Sequence, residues 1–333
     1  MATILSGVQP SGNLTIGNYL GAISNFVKLQ NSLKEGDSLF VFIADLHAIT
    51  VPQDPTKLRN NIRSLVALYL ACGLDPKKTT IFIQSEVKEH AELSYLLETQ
   101  TYIGELERMT QYKDKMVKQV QGVSTALLTY PVLMASDILL YSTNYVPVGV
   151  DQKQHLELAR NIAERFNNKY SETFVVPEPL IQPIGSKIMS LQNPNQKMSK
   201  SDIVEKASIF MLDDEKVIRK KIMSAVTDSD GIIKYDMENK PGVSNLLTIL
   251  SCFKNQSMDD TLKEVEGLNY GVLKEKVADA IISVLKPIQE RYNNFLNDPI
   301  IDSILDEGRD KAERVAYKMV AKVKRKMGLG RKK

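Results

Sequence analysis

The chain has 333 residues, 43% of them hydrophobic and 25% charged, with 43 Lys+Arg against 40 Asp+Glu, a composition that excludes a disordered, fibrous or membrane-embedded protein. No run reaches the ~18 apolar residues of a spanning helix, and the opening MATILSGVQPSG has no basic segment followed by an apolar one, so a cytoplasmic protein with no membrane partner is expected. Two cysteines far apart, Cys72 and Cys252, and three scattered histidines, His47, His90 and His155, give neither a disulfide framework nor metal-ligand spacing.

In chain order, 3–8 reads as a strand, 9–18 as a turn-rich stretch and the next segment, to about Leu33, as a helix. The continuously apolar SLFVFIA at 38–44 reads as a strand buried on both faces. Asp54-Pro55 opens an amphipathic helix that Gly73 closes, and TTIFIQ at 79–84 is a third strand. Helices are predicted near 90–101, 104–117 and 123–142, a further strand at 145–148 and a helix at 151–166. This alternation of strands and helices is the signature of an α/β, Rossmann-like parallel sheet. Prolines 177, 179, 183 and 194 make 175–201 an irregular connector. Beyond it, apolar residues recur at helical spacing in 213–226, 243–254, 271–296 and 308–327. The expected organisation is a catalytic domain over 1–192 and a mainly α-helical domain over 193–333, with the last helix packing back on the first domain.

Charge is unevenly spread. Residues 309–333 hold eleven Lys/Arg and only Asp310 and Glu313, a balance of +9 that leaves −6 for the remainder. Such a segment is either a solvated helix face or a contact to phosphate.

Two stretches carry chemistry. The first, Gly7-Val-Gln-Pro-Ser-Gly-Asn-Leu-Thr-Ile-Gly-Asn18, lies between a strand and a helix. Its glycines allow close backbone approach, a helix N-terminus favours phosphate, and Gln9, Ser11 and Asn18 are neutral donors. Plain helix capping would use the same residue types. Neither GxGxxG nor GxxxxGK[ST] is present in it, which disfavours a dinucleotide fold or a P-loop. The second is Lys197-Met-Ser-Lys-Ser201, two lysines with interleaved hydroxyls in a Pro/Asn-rich loop, able to fold over a polyphosphate and neutralise charge that builds during nucleotidyl transfer.

KMSKS is the signature of the class I aminoacyl-tRNA synthetases, and TIGN at 15–18 resembles the variant of that class's HIGH motif found in bacterial tryptophanyl-tRNA synthetases. Gly149-Val-Asp-Gln152 is similar to the family's GxDQ segment, and the resemblance extends through GELERMTQ at 104–111, LLTYPVLMASDILLY at 127–141 and MGLG at 327–330. It implies an enzyme that joins tryptophan to ATP, releasing pyrophosphate, and passes the aminoacyl group to the 3′ end of tRNA(Trp). It also implies a site. Gln9, Pro10, Ser11, Gly17 and Asn18 would frame the nucleotide with Gly149, Val150, Asp151, Ile188 and Lys197, Met198, Ser199, Lys200, Ser201. Lys197 and Lys200 would close on pyrophosphate, with Mg²⁺ carried by ATP and no structural metal. Asp151 would take the ribose hydroxyls, although an N-cap of the helix at 151–166 is the plainer reading, and Val150 stands where most of the family has an acid. Lys115 matches a family position near pyrophosphate, or is one surface charge among several. With Lys197, Lys200 and Gln9 it makes up the expected catalytic set.

Asp137 is the only charged residue between Lys118 and Asp151, and a carboxylate buried there needs a donor. A backbone group or a hydroxyl such as Ser136 could supply it. So could a ligand. Tyr130, Met134 and Asp137 share a helix face, so a ring, a thioether and an acceptor suit an indole and its donor-only N–H. A site built that way rejects phenylalanine by up to ~10⁴–10⁵. The resemblance adds Leu5, Gly7, His47 and Val148 to this tryptophan pocket.

For tRNA the chain offers the helical second part and the basic tail, and the family implies a homodimer; no DNA partner is expected. The rival readings are a tyrosyl-tRNA synthetase, which generally carries KFGKS rather than KMSKS, another nucleotidyltransferase of the superfamily, and a non-catalytic RNA-binding paralogue.

Overall fold

The computed structural model describes residues 1–110, 112–113, 122–149, 152–180, 187–200, 202 and 204–331. Its centre is a five-stranded parallel sheet of order β3-β2-β1-β4-β5, made by β1 Thr3–Val8, β2 Ser38–Ile43, β3 Thr79–Ile83, β4 Tyr145–Pro147 and β5 Glu178–Leu180. The strands β2 and β3 are buried almost throughout, as continuous apolar runs in a sheet covered on both faces require. β5 falls inside the stretch that reads as irregular. It is three residues long and carries Pro179, which a strand at the sheet edge tolerates because its missing N–H breaks no interior ladder.

Strand order runs from β1 outward to β3 on one side and from β4 to β5 on the other. The carboxyl ends of β1 and β4 therefore flank a switch point, where open α/β sheets leave a crevice for ligands.

After β1 comes a helical stretch in three parts, Ile16–Asn18, a π-helical turn Tyr19–Ile23 and Ser24–Ser32, together α1. Short α2 Asp45–Ala48 follows β2, then α3 Pro55–Ala71, whose N-cap Asp54 accepts from the Lys57 amide at 2.8 Å. Next come α4 Glu89–Glu98, α5 Ile103–Glu107, α6 Thr125–Leu140 and α7 Lys153–Tyr170. The second part holds α8 Glu215–Met223, α9 Pro241–Lys254, α10 Met258–Glu264, α11 Tyr270–Leu296 and α12 Ile300–Lys326. α2 and α10 are too short for a periodic pattern to reveal. The helix expected over 104–117 is the short α5, its later half lying largely outside the described residues.

The side chains of each strand alternate between two cores. One face of the sheet, with Ile4, Val41 and Ile81, packs on α3 and on the helices α9 and α11. The other, with Leu5, Phe40 and Phe82, packs on α4, α6 and α7. Helix α12 runs from the first core, where it places Ile301 and Leu305, to the second, where it places Ala312, Ala316 and Val323. On the way it covers the free edge of β3. Gly308 lies so close that a Cβ there would sit 1.8 Å from the Ile81 carbonyl oxygen. A small residue at this crossing seals an edge that would otherwise offer unpaired backbone groups.

Candidate active site

The first turn is built by local hydrogen bonds. Thr15 caps α1 in a reciprocal box: its hydroxyl accepts from the Asn18 amide at 3.3 Å, and the Asn18 side-chain oxygen accepts from the Thr15 amide at 3.0 Å. The amide oxygen of Asn18 is thereby pinned, and the side chain is exposed, its Nδ2 a donor that the cap does not use. Upstream, the Ser11 amide and hydroxyl both donate to the Gln9 carbonyl, at 2.8 and 3.2 Å. Pro10 is buried beneath that turn.

The lysine loop is tied to the same turn. Met198 is buried, and its amide donates to the Ile188 carbonyl at 3.0 Å, while Asn245 of α9 holds both backbone groups of Met189 at 2.9 Å. Farther along, the Ile16 amide donates to Ile209 and the Met211 amide to Leu14. The loop is thus stitched to α9 at one end and to the first turn at the other. Lys200 Nζ donates to Ser11 Oγ, and desolvation lowers its pKa from the ordinary lysine value. Lys197 stays exposed. Ile188 and Met198 are core side chains at 3% and 5% exposure, so only their backbone can meet a nucleotide. Ser199 accepts at its carbonyl from Ser208 Oγ at 2.8 Å, and a Cβ on Gly17 would lie 3.7 Å from Ile188 Cβ, an ordinary contact. Gly149 is exposed at the end of β4. Lys115, Val150, Asp151 and Ser201 lie outside the described residues. The helix after β4 takes Gln152 as its N-cap residue.

The second cluster stands at the carboxyl ends of β2 and β3, against α6. Asp137 is 1% exposed, and its need for a donor is met within the chain, by side chains that neither Ser136 nor the backbone supplies. Oδ1 accepts from Gln84 Nε2 at 2.7 Å and from His90 Nδ1 at 2.6 Å, and Oδ2 accepts from His47 Nε2 at 2.8 Å. Ser136 instead donates to the His90 carbonyl at 2.7 Å. Burial pushes the Asp137 carboxyl up, but the bonds from His47 and His90 outweigh it, and the pKa falls below the usual aspartate value. The carboxylate is ionised at neutral pH. Each of its oxygens offers two lone pairs; among the described residues Oδ1 has two donors and Oδ2 one, so Oδ2 retains a free acceptor position.

Of the other residues expected in the pocket, Tyr130 reaches this cluster through His47. The Tyr130 ring meets His47 edge-on at 6.2 Å, and its hydroxyl bonds His155 Nε2 at 2.9 Å. Met134 and Val148 are half-buried against the same core, which also contains Leu5. Gly7 has its own reason to be glycine, because a Cβ would lie 2.6 Å from the Phe42 ring.

Gln84, His90, Tyr141 and His155 were not anticipated as parts of this cluster. One signal was present: the spacing that joins Tyr130, Met134 and Asp137 continues to Tyr141, which bonds His90 Nε2 at 2.8 Å. The histidine partners come from other elements, and no periodicity points to them. Among the described residues no group of three or more His, Cys, Asp or Glu could hold a metal ion, and no helix is long and apolar enough to cross a membrane.

With this geometry in hand, comparison with known proteins is informative. A family model for class I tRNA synthetases (W and Y) matches residues 1–286. The tryptophan–tRNA ligase of Oceanobacillus iheyensis is 58% identical over 332 residues, covering 100% of both chains, and that of Bacillus subtilis 56% identical over 330 residues, covering 99% and 98%. Among solved structures, tryptophanyl-tRNA synthetase from Mycoplasma pneumoniae superposes with a TM-score of 0.90 at 37% identity, covering 99% of this chain and 98% of that one. The enzyme from Campylobacter jejuni, solved with ADP and tryptophan, gives a TM-score of 0.83 at 38% identity, covering 98% and 100%.

Proposed function

The chain belongs to the class I tRNA synthetases of the tryptophan and tyrosine family and is a tryptophan–tRNA ligase, and from that premise we propose how its residues divide the work. Tryptophan and ATP form tryptophanyl-adenylate: a carboxylate oxygen of the amino acid attacks the α-phosphorus and pyrophosphate leaves. The adenylate then passes its aminoacyl group to a hydroxyl at the 3′ end of tRNA(Trp), releasing AMP. The protein's task in the first step is to align the reactants and to stabilise the negative charge that develops on the departing oxygens.

The nucleotide lies in the crevice at the switch point. Gln9, Ser11 and Asn18 donate to it from the first turn, Gly17 and Gly149 let the backbone come near, and Asp151 accepts from the ribose. Lys197 and Lys200 neutralise the pyrophosphate, Lys115 is assigned as a third cation by its match to the family, and Mg²⁺ arrives as part of the ATP substrate. The contact between Lys200 and Ser11 supports this assignment, because it brings the lysine loop to the first turn.

Tryptophan is chosen at Asp137. The observation that carries the reading is the buried, ionised carboxylate with one acceptor position left on Oδ2. An indole N–H fills that position while its ring packs on Tyr130, Met134 and Val148. The helical part from residue 193 onward serves tRNA, in the cytoplasm. The enzyme works as a homodimer; Tyr95, Tyr102 and Ile103, exposed at 69%, 64% and 67%, are large apolar side chains that a partner copy would cover.

Amino-acid-dependent exchange of pyrophosphate into ATP tests the assignment. Tryptophan is expected to support exchange, with tyrosine and phenylalanine orders of magnitude weaker; exchange that ignores tryptophan contradicts it. The chain has no tryptophan of its own, so ligand fluorescence reports binding directly.

A further inference from the structure

Asp137 is also held on its other oxygen, Oδ1, by Gln84 and His90. An ionised carboxylate only accepts, so the 2.6 Å contact to Oδ1 requires a proton on His90 Nδ1. In the neutral ring Nε2 is then an acceptor, and its partner at 2.8 Å is the Tyr141 hydroxyl. Burial first, then the charges of Asp137 and Glu89, raise the Tyr141 pKa well above the usual phenol value, so the hydroxyl keeps its proton and donates. The arrangement is rigid. His90 and Tyr141 are 0% and 2% exposed; Phe42 and Phe82 each lie 5.9 Å from the His90 ring, and Tyr141 stacks on Phe40 at 4.8 Å.

We infer that Tyr141 and His90 are positioning residues for amino-acid selection: the Tyr141 hydroxyl fixes His90 as the Nδ1–H tautomer, which with Gln84 saturates Oδ1 of Asp137 and leaves Oδ2 as the one oxygen that can receive an indole N–H. The inference rests on the reading that Asp137 receives the indole. In the opposite tautomer a nitrogen lone pair faces Oδ1. The carboxylate is then free to turn, and Oδ1 and Oδ2 compete for the ligand and for His47. Selectivity is set two residues away from the substrate, by a hydroxyl that never meets it.

Tyr141→Phe removes that hydroxyl and keeps the ring on Phe40. In pyrophosphate exchange the KM for tryptophan is expected to rise about tenfold, the effect of losing one charge-assisted hydrogen bond, with kcat and the KM for ATP changed by less than about twofold. Phenylalanine, which has no N–H, keeps its KM, so the tryptophan-to-phenylalanine preference falls by the same factor. A merely structural role would weaken both amino acids alike. Nitrogen-15 NMR of the wild-type protein gives an independent readout even if the variant does not fold, since only three histidines need assignment. His90 should show a protonated Nδ1 and an unprotonated Nε2. An Nε2–H or doubly protonated His90 overturns the inference, as does an unchanged preference in the folded variant. Asp137→Asn, run alongside, separates the two levels. If it destroys the preference and Tyr141→Phe does not, only the positioning role falls; if it too leaves the preference intact, the indole site itself is wrong.

Discussion

Asp137 is a structural junction, and its proposed part in recognition uses the same carboxylate. Its charge is affordable in the core because three donors surround it, and its usefulness lies in the fourth position, which they leave open. Asp137→Ala should therefore lower kcat/KM for tryptophan by about 10- to 100-fold, the range of a hydrogen bond to a charged group, while the KM for ATP stays unchanged; steady-state exchange kinetics read both. In the proposed assignment Lys200 serves the other substrate, and Lys200→Ala tests it. It should cut the rate of adenylate formation by ~10²–10³ without altering tryptophan affinity measured by ligand fluorescence, and a tryptophan affinity that falls with it would contradict the division between the two clusters. At this scale the sequence was informative where residues act through local spacing. Tyr130, Met134 and Asp137 on one helix face follow from chain order alone, whereas the turn before α1 reads only as generic capping and Thr15 as its cap comes from the structure. His47, Gln84 and His90 converge on Asp137 from separate elements, and that convergence is a property of the sheet, since all three follow the carboxyl ends of β2 and β3.

Among the elements, α12 is the one whose placement depends most on a single residue. Gly308 lets it lie on the edge of β3, with a Cβ position only 1.8 Å from the Ile81 carbonyl oxygen. Gly308→Ala forces the helix or the strand to move, and should destabilise the fold by about 1–3 kcal/mol, the usual cost of overpacking, despite alanine's better helix propensity. Thermal denaturation checks the sign: a variant as stable as the parent would mean that the crossing is loose. The pattern of apolar residues located α12 but placed its start at 308 rather than Ile300. The first two turns bury Ile301 and Leu305 in one core and the later turns bury Ala312 to Val323 in another, so no single stripe runs the length of the helix. β5 was missed for a related reason: three residues containing a proline hold their place through pairing with β4, not through any preference of their own.

For the whole molecule, the two cores lie on opposite faces of one sheet, and its stability depends on pH through the buried Asp137. Asp137 has a pKa below its unfolded value, so folding favours its deprotonated form. That contribution is complete above the unfolded value of about 3.9 and is lost as pH falls below it through the lower folded value. Melting temperatures measured from pH 7 to pH 3 should drop on the acid side more steeply for the parent than for Asp137→Asn; equal slopes would show that the carboxylate does not contribute in this way. The uneven charge matters at the same scale. With +9 in residues 309–333 against −6 elsewhere, affinity for tRNA should weaken steeply with salt.

The central claim is that the open acceptor on Asp137 chooses the amino acid, and a crystal structure with bound L-tryptophan tests it most directly. The indole nitrogen should lie within about 3 Å of Oδ2, with His47 still on that oxygen and Gln84 and His90 still on Oδ1. An indole nitrogen that faces any other group, with Asp137 closed by His47 alone, would contradict it.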